Sequence, residues 1–147
     1  HVRVKHFPER PSNSGLTDYP HHFGHVWIDA TVQTGDGYCD EKHIDRIDFL
    51  KIDAEGSDYR ILLGFRRTLS EGRVDVIQFE YGRNAILTHH LLWDFYQLLE
   101  SLGFVVGKLY PNHVDFRPYD PMHEDFLGAN FIAVSHNRMD LTEALGR

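Results

Sequence analysis

Acidic residues follow two apolar segments whose composition is typical of buried strands. The segment IDFLKIDAEG ends in Asp53, Glu55 and Gly56, and the segment VDVIQFEYG, from Val74 to Gly82, carries Glu80. A helix-length interval separates the two segments, so the strands should be parallel neighbours. Their carboxyl ends would then meet at one edge of a sheet, where open α/β sheets place ligands. The sequence therefore predicts one acidic site.

Two ionised carboxylates at adjacent strand ends would lie about 5 Å apart and would repel one another. A divalent cation, a shared proton or the nearby Lys51 could compensate, and the first two would make a working site. We predict Asp53, Glu55 and Glu80 as catalytic residues, with Asp53 and Glu80 as ligands if Mg²⁺ or another divalent cation binds. In the structural alternative, Lys51 makes an ion pair with Asp53 or Glu80, and Glu55 is solvated.

The elements that would position these residues follow from hydrophobic periodicity. A loop in place of a helix before the final strand allows that strand to run antiparallel. We therefore predict an α/β fold with a mostly parallel sheet and an antiparallel last strand, in a single domain whose residues 1–25 are loop-rich. The predicted strands are 26–32, 48–53, 74–80, 104–110 and 129–135, with a helical turn at 35–42, one helix after Ser57, one capped by Thr88, and a loop at 111–128.

Composition excludes several classes of protein. The net charge of −7 disfavours nucleic acid as a partner, because phosphate binding needs clustered basic residues. The single cysteine, Cys39, cannot close an intramolecular disulfide, which favours a reducing cytoplasm. Apolar runs are shorter than the roughly 20 residues that span a membrane. We therefore predict a cytoplasmic protein with neither a membrane nor a nucleic-acid partner.

A histidine-based metal site is a further alternative. His113, Asp115 and His136 superficially match the two-histidine, one-carboxylate triad of non-haem iron oxygenases. The short spacing and the α/β pattern argue against that chemistry. The sequence also contains no P-loop, no G-x-S-x-G and no G-x-G-x-x-G.

The acidic segment resembles a family signature. The run IDRIDFLKIDAEGSDYRILLGF is similar, over Asp45 to Gly64, to the signature of FkbM-type methyltransferases. The similarity continues through FEYG at Phe79 to Gly82 and NFIAV at Asn130 to Val134. Upstream, VQTGDGY resembles a family segment that ends in Leu-Asp-Asp-Tyr, with Thr34, Asp36 and Tyr38 in place. Asp58 stands where the family often has Glu and keeps the charge.

This resemblance implies a Rossmann-like class I methyltransferase fold that uses S-adenosylmethionine. The expected reaction is methyl transfer to a hydroxyl oxygen of a small molecule or glycan. It implies that Asp53 and Glu55 lie beside the sulfonium and the acceptor, and that Glu80 helps to bind acceptor or metal. It also places Asp36, Tyr38 and Asp53 on the cofactor side, with Asp53 as the first choice for the base.

The glycine-rich turn and the second-strand acidic residue that hold the cofactor in such enzymes have no counterpart in these 147 residues. The chain therefore resembles the carboxyl-terminal portion of the domain. An alternative is a non-catalytic module that binds a ligand or partner through the same acidic edge. Without the first strands an apolar sheet edge would be exposed, so we also expect a possible homo-oligomer.

Overall fold

A computed structural model describes residues 1–16 and 22–146, apart from the side chain of Ala129. Within these ranges the chain forms seven strands and six short α-helices. The strands are β1 (Val2–His6), β2 (Val26–Ala30), β3 (Ile47–Lys51), β4 (Val74–Tyr81), β5 (Phe104–Leu109), β6 (Val114–Phe116) and β7 (Ala129–Ser135). The helices are α1 (Gly35–Glu41), α2 (Asp58–Gly64), α3 (Arg66–Ser70), α4 (Asn84–Thr88), α5 (Leu92–Ser101) and α6 (Met139–Leu145).

Five strands form one mixed sheet in the order β3-β4-β7-β5-β6. β3 and β4 are parallel, whereas β7 is antiparallel to both β4 and β5, and β6 is antiparallel to β5. The antiparallel last strand is confirmed, but the predicted mostly parallel sheet is wrong. Helical crossovers do make β3, β4 and β5 run in the same direction. β7 separates β4 from β5, however, so neighbouring strands in the described chain are mostly antiparallel.

Two local predictions between β4 and β7 are also wrong. Thr88 does not cap the second long helix; it ends α4, and its hydroxyl donates to the carbonyl of Asn84 at 3.2 Å. α5 begins only at Leu92, where the Asp94 carboxylate accepts from the amide of Leu91 at 2.8 Å. The predicted loop at 111–128 contains β6, which pairs with β5.

The core lies mainly between the sheet and helices α2, α3 and α5. Apolar residues three and four apart on a helix share one face, and these faces of the helices supply the core. Phe79 of β4 stacks against Phe95 of α5 and Phe131 of β7, with ring centroids 4.8 and 5.6 Å apart. The helical residues that are completely buried in this core are Leu62, Leu69, Leu92, Tyr96 and Leu99.

The first part of the chain forms a separate antiparallel pair, β1 with β2. β1 is a complete strand within the segment predicted as loop-rich, of which residues 17–21 lie outside the described ranges. The composition of the β3 segment is typical of a buried strand, but β3 is only partly buried. β3 is the end strand of the described sheet, and Phe49 on it is 52% exposed.

None of the helices in the described ranges has the length and apolar character needed to cross a membrane.

Candidate acidic site at the carboxyl ends of β3 and β4

Strand pairing brings the predicted acidic residues to one edge of the sheet. Lys51 of β3 is in register with Gln78 of β4, and the amide of Ile52 donates to the carbonyl of Gln78 at 2.8 Å. Two residues further along each parallel strand come Asp53 and Glu80. They therefore leave the sheet at the same border, next to each other.

A sharp turn after β3 then presents Glu55. Glu55 and Gly56 have φ angles of 49° and 93°, both in the left-handed region. Glycine adopts such a conformation without the steric cost that a side chain adds, which explains Gly56. Asn84, at the start of α4, donates from Nδ2 to Oε2 of Glu55 at 3.1 Å. The turn thereby connects the end of β3 to the segment that follows β4.

A cavity of about 320 Å³ opens at this edge. Glu55, Asp58 and Glu80 line its acidic side, and Arg83 and His90 are also in its wall. Its apolar wall comes from the end of β4, from α5 and from the loop before β7, through Tyr81, Phe95, Phe126 and Leu127. This combination of apolar walls and a few polar groups is typical of small-molecule sites.

Asp58 is the most deeply buried of the acidic residues, with 1% of its surface exposed. Its Oδ1 accepts from the amide of Glu80 at 3.2 Å, whereas Oδ2 accepts no hydrogen bond from any described residue. Burial raises the pKa of Asp58, although the backbone amides of Glu80, Asp58, Ala54 and Gly56 oppose the rise. The sequence identified Asp58 only as a first-turn residue that keeps a family charge. Its burial in the cavity was missed.

Glu80 is half-buried in the same wall. Burial raises its pKa, and the negative charges of Glu55, Asp53 and Asp58 raise it further, while Lys51 acts in the opposite direction. Three neighbouring carboxylates thus act on Glu80 against one ammonium, so negative charge adds to the effect of burial at this edge.

Asp53 itself is in a different situation. Its carboxylate makes an ion pair with Nζ of Lys51 at 2.7 Å, and about half of its side chain is exposed. This is the structural alternative considered for Lys51. Asp53 is not among the residues that line the cavity, although its charge acts on Glu80.

The geometry gives no support to the predicted divalent-cation site at Asp53 and Glu80. Within residues 1–16 and 22–146, no group of three or more His, Cys, Asp or Glu side chains has the spacing to hold a metal ion. The alternative iron site at His113, Asp115 and His136 is likewise not among groups with suitable spacing in these ranges. His113 stacks on Tyr110 with ring centroids 5.1 Å apart, and Asp115 pairs with Arg117 at 3.1 Å.

Asp36 and Tyr38, predicted on the cofactor side, lie on α1 away from the cavity. Oδ1 of Asp36 accepts from the hydroxyl and the amide of Thr68, at 2.6 and 2.9 Å, and Oδ2 accepts from the amide of Arg67 at 3.0 Å. Both oxygens therefore join α1 to α3. Tyr38 is 48% exposed, with the ammonium of Lys42 5.9 Å from its ring centroid. The contacts of Asp36 are structural, and the placement of both residues on the cofactor side stays a prediction.

A residue that the sequence did not single out holds the loop wall of the cavity. Glu124 accepts hydrogen bonds from the hydroxyls of Tyr81 and Tyr119 and from the amides of Leu92 and Trp93. Burial tends to raise the pKa of Glu124, but these hydrogen bonds outweigh it and lower the pKa. The carboxylate thus ties the loop to both β4 and the start of α5.

The fold and the cavity together define an α/β domain with a cavity at the carboxyl ends of two parallel strands. The sequence profile of the Methyltransferase FkbM domain matches residues 7–106, and the chain belongs to this family. The matched range includes Glu55, Asp58 and Glu80. Searches of curated proteins and of solved structures found no match.

Proposed function

We propose that this chain forms the acceptor side of an S-adenosylmethionine-dependent methyltransferase that modifies a hydroxyl of a small molecule or glycan. Membership of the FkbM family supports methyl transfer. The observation that carries the choice of site is the cavity at the ends of β3 and β4, lined by Glu55, Asp58 and Glu80. It lies where α/β sheets bind ligands.

S-adenosylmethionine supplies an activated methyl group on a sulfonium cation. The incompletely compensated negative charge around Glu80 suits such a cation. Asp53, half exposed at the same edge, is available on the outer side of the cavity. Asp36 fits a cofactor role poorly, because both of its oxygens are already used by Arg67 and Thr68.

Among the carboxylates, Glu80 is better suited than Asp53 to accept the proton of an acceptor hydroxyl. A general base works best when its pKa approaches the working pH, and the pKa of Glu80 is raised. Glu80 also lines the cavity, where an acceptor can reach it. Asp53 is instead held in an ion pair by Lys51. Most of the rate would come from positioning the acceptor for in-line displacement.

The test is transfer of labelled methyl groups from S-adenosylmethionine by the full-length gene product. The acceptors are a panel of simple sugars and small alcohols, with product analysis to locate the label on oxygen. We expect label in at least one neutral or cationic hydroxyl compound. Binding of an acceptor without any transfer would support the non-catalytic alternative and would refute the methyltransferase proposal.

A further inference from the structure

The loop before β7 places an apolar side chain in the wall of the cavity and in solvent at the same time. Leu127 lines the cavity, yet it is 75% exposed. The preceding Phe126 is partly buried against the core, and its ring centroid lies 5.8 Å from that of Tyr81. A single exposed leucine is common on protein surfaces. The backbone that holds this one is unusual.

The residues on either side of Leu127 have left-handed backbone conformations. Phe126 has a φ angle of 53° and Gly128 one of 72°. For a bulky residue such a conformation is strained, and it persists only where surrounding contacts enforce it, commonly at ligand sites. Asp125 supplies such contacts. Its Oδ1 accepts from the amide of Leu127 at 3.0 Å, and its Oδ2 accepts from Nζ of Lys108 at 3.1 Å.

The same loop is fixed against the rest of the cavity at both of its ends. Glu124 binds its beginning to β4 and to the first amides of α5. At its other end Gly128 packs against Gly82, the residue after β4, so closely that a Cβ at position 82 would lie 3.0 Å from the Cα of Gly128. The common result of these contacts is that Leu127 is held in the cavity wall with its side chain accessible.

We propose that Leu127 is a specificity-determining residue that binds a hydrocarbon group of the acceptor. The acceptor is then an alcohol or glycoside that carries an alkyl or aryl substituent. Leu127 continues the apolar wall formed by Tyr81, Phe95 and Phe126, so such a substituent would lie against one uninterrupted apolar surface. The description of the ligand as the acceptor rests on the proposed function, whereas the binding of the hydrocarbon group does not.

The hydrophobic effect explains the preference. Contact with a hydrocarbon group removes apolar surface from water on both Leu127 and the ligand, and the gain grows with the area that is buried. An entirely polar sugar would leave Leu127 exposed and would gain nothing from it. The affinity should therefore increase with the length of the substituent when the rest of the ligand is kept constant.

Methyl and hexyl glucoside are matched probes, because they differ only in the length of the alkyl group. Each is titrated into the full-length gene product with ¹³C-labelled leucine methyl groups, whose chemical shifts report both affinity and location. We expect hexyl glucoside to bind at least about fivefold more tightly than methyl glucoside. The methyl signals of Leu127 should move with hexyl glucoside.

Variants identify the group responsible. Leu127→Ser should reduce the affinity for hexyl glucoside to that for methyl glucoside. Gly82→Ala keeps Leu127 but pushes Gly128 away from β4, and it should also reduce the preference. Met122→Ser is the matched control, since Met122 precedes Leu127 in the same loop, is 84% exposed and does not line the cavity. This variant should keep the full preference.

Three results would overturn this inference. They are an affinity for hexyl glucoside no greater than that for methyl glucoside, a preference that survives in Leu127→Ser, and a preference that Met122→Ser removes to the same extent. Displacement of hexyl glucoside by S-adenosylhomocysteine, with the Leu127 methyl signals moved by both, would also overturn it and assign the apolar wall to the cofactor.

The fate of the proposed function is measured separately. Labelled methyl transfer to hydroxyl compounds without any dependence on alkyl length would refute the role of Leu127 and leave the methyltransferase proposal intact. A preference for hexyl glucoside that depends on Leu127, in a protein that transfers no methyl group to any acceptor, would support the hydrocarbon site and refute the methyltransferase proposal.

Discussion

At the scale of single residues, four neighbouring carboxylates have four different environments. Asp53 is paired with Lys51, Glu55 accepts from Asn84, Asp58 is buried with one free oxygen, and Glu80 has a raised pKa. The sequence predicted three of the positions, because a residue at the end of a strand is placed by local pattern. It could not predict the burial of Asp58, because Asp58 contacts the amide of Glu80, which is 22 residues away in the sequence.

The raised pKa of Glu80 makes a prediction about stability. A carboxyl group whose pKa is higher in the folded state costs stability once the pH is above its unfolded value. Glu80→Gln should therefore raise the free energy of unfolding at pH 7 by about 1 kcal/mol, a typical gain when a functional group is neutralised. The gain should disappear in acid, where Glu80 is protonated in both states. Urea unfolding at several pH values measures it.

The matched control for this experiment is Asp53→Asn. Lys51 already compensates Asp53, so its neutralisation would leave that ammonium without its partner. We expect no stabilisation from this variant. A Glu80→Gln protein that is no more stable than the parent would show that the charge of Glu80 does not destabilise the fold.

Asp75, at the opposite end of β4, shows the reverse behaviour. Asp75 is 2% exposed and pairs with Arg46 and Arg138, each at 2.6 Å. Burial tends to raise its pKa, but hydrogen bonds from the two arginines and their charges outweigh burial and lower it. Its stabilisation is thus present above the unfolded pKa and is lost as the pH falls through the lower folded value.

Asp75→Asn should consequently destabilise the fold at neutral pH. We expect a loss of about 2 kcal/mol, below the range for fully buried pairs because Arg46 is largely exposed. The loss should shrink in strong acid, where the parent carboxylate is protonated as well. Thermal unfolding of both proteins from pH 7 downward provides the comparison, and a constant difference across that range would contradict this interpretation.

At the scale of elements, the segment between β5 and β7 was the hardest to predict. Its residues are polar and lack periodicity, so the sequence indicated a loop. Order there comes from contacts distant in sequence, since Glu124 binds Tyr81 on β4 and the first amides of α5. β6 is only three residues long and is defined by its pairing with β5. Such strands have too few residues for a recognisable alternation.

Glu124→Gln tests whether this loop is held by the carboxylate. The amide retains one acceptor oxygen but loses the charge, so at least two of the four hydrogen bonds should weaken. We expect a loss of about 2 kcal/mol in the free energy of unfolding, as for hydrogen bonds to a charged group. Hydrogen exchange at 124–128 should also become faster. Asp120→Asn, in the same segment, should leave exchange at 124–128 unchanged, and an equal effect there would refute the specific role of Glu124.

At the scale of the whole molecule, the sequence predicted the directions of β3, β4, β5 and β7 but not their order. Helical crossovers determine direction through local handedness and length. No local sequence pattern determines that β7 pairs with both β4 and β5. β3 lies at the end of the described sheet because no other described strand pairs with its outer side, and Phe49 on it is exposed.

That edge is the basis for our proposal that this 147-residue chain associates with itself. An exposed strand with an apolar side chain can pair with another chain, and charge on the strand opposes such pairing. Phe49→Lys should therefore lower the fraction of dimer or larger species in sedimentation velocity at high protein concentration. Leu145→Lys, on α6, is the matched control and should not change it. A parent chain that stays monomeric at all concentrations would contradict self-association.

Glu80 and its neighbours form the proposed site of chemistry. The direct measurement is the turnover number for methyl transfer by the full-length gene product, with Glu80→Gln compared with Asp48→Asn. Loss of a general base predicts a decrease of about 10²-fold or more for Glu80→Gln, with no change for Asp48→Asn. Unchanged turnover in Glu80→Gln would contradict the assignment of the base to this edge of the sheet.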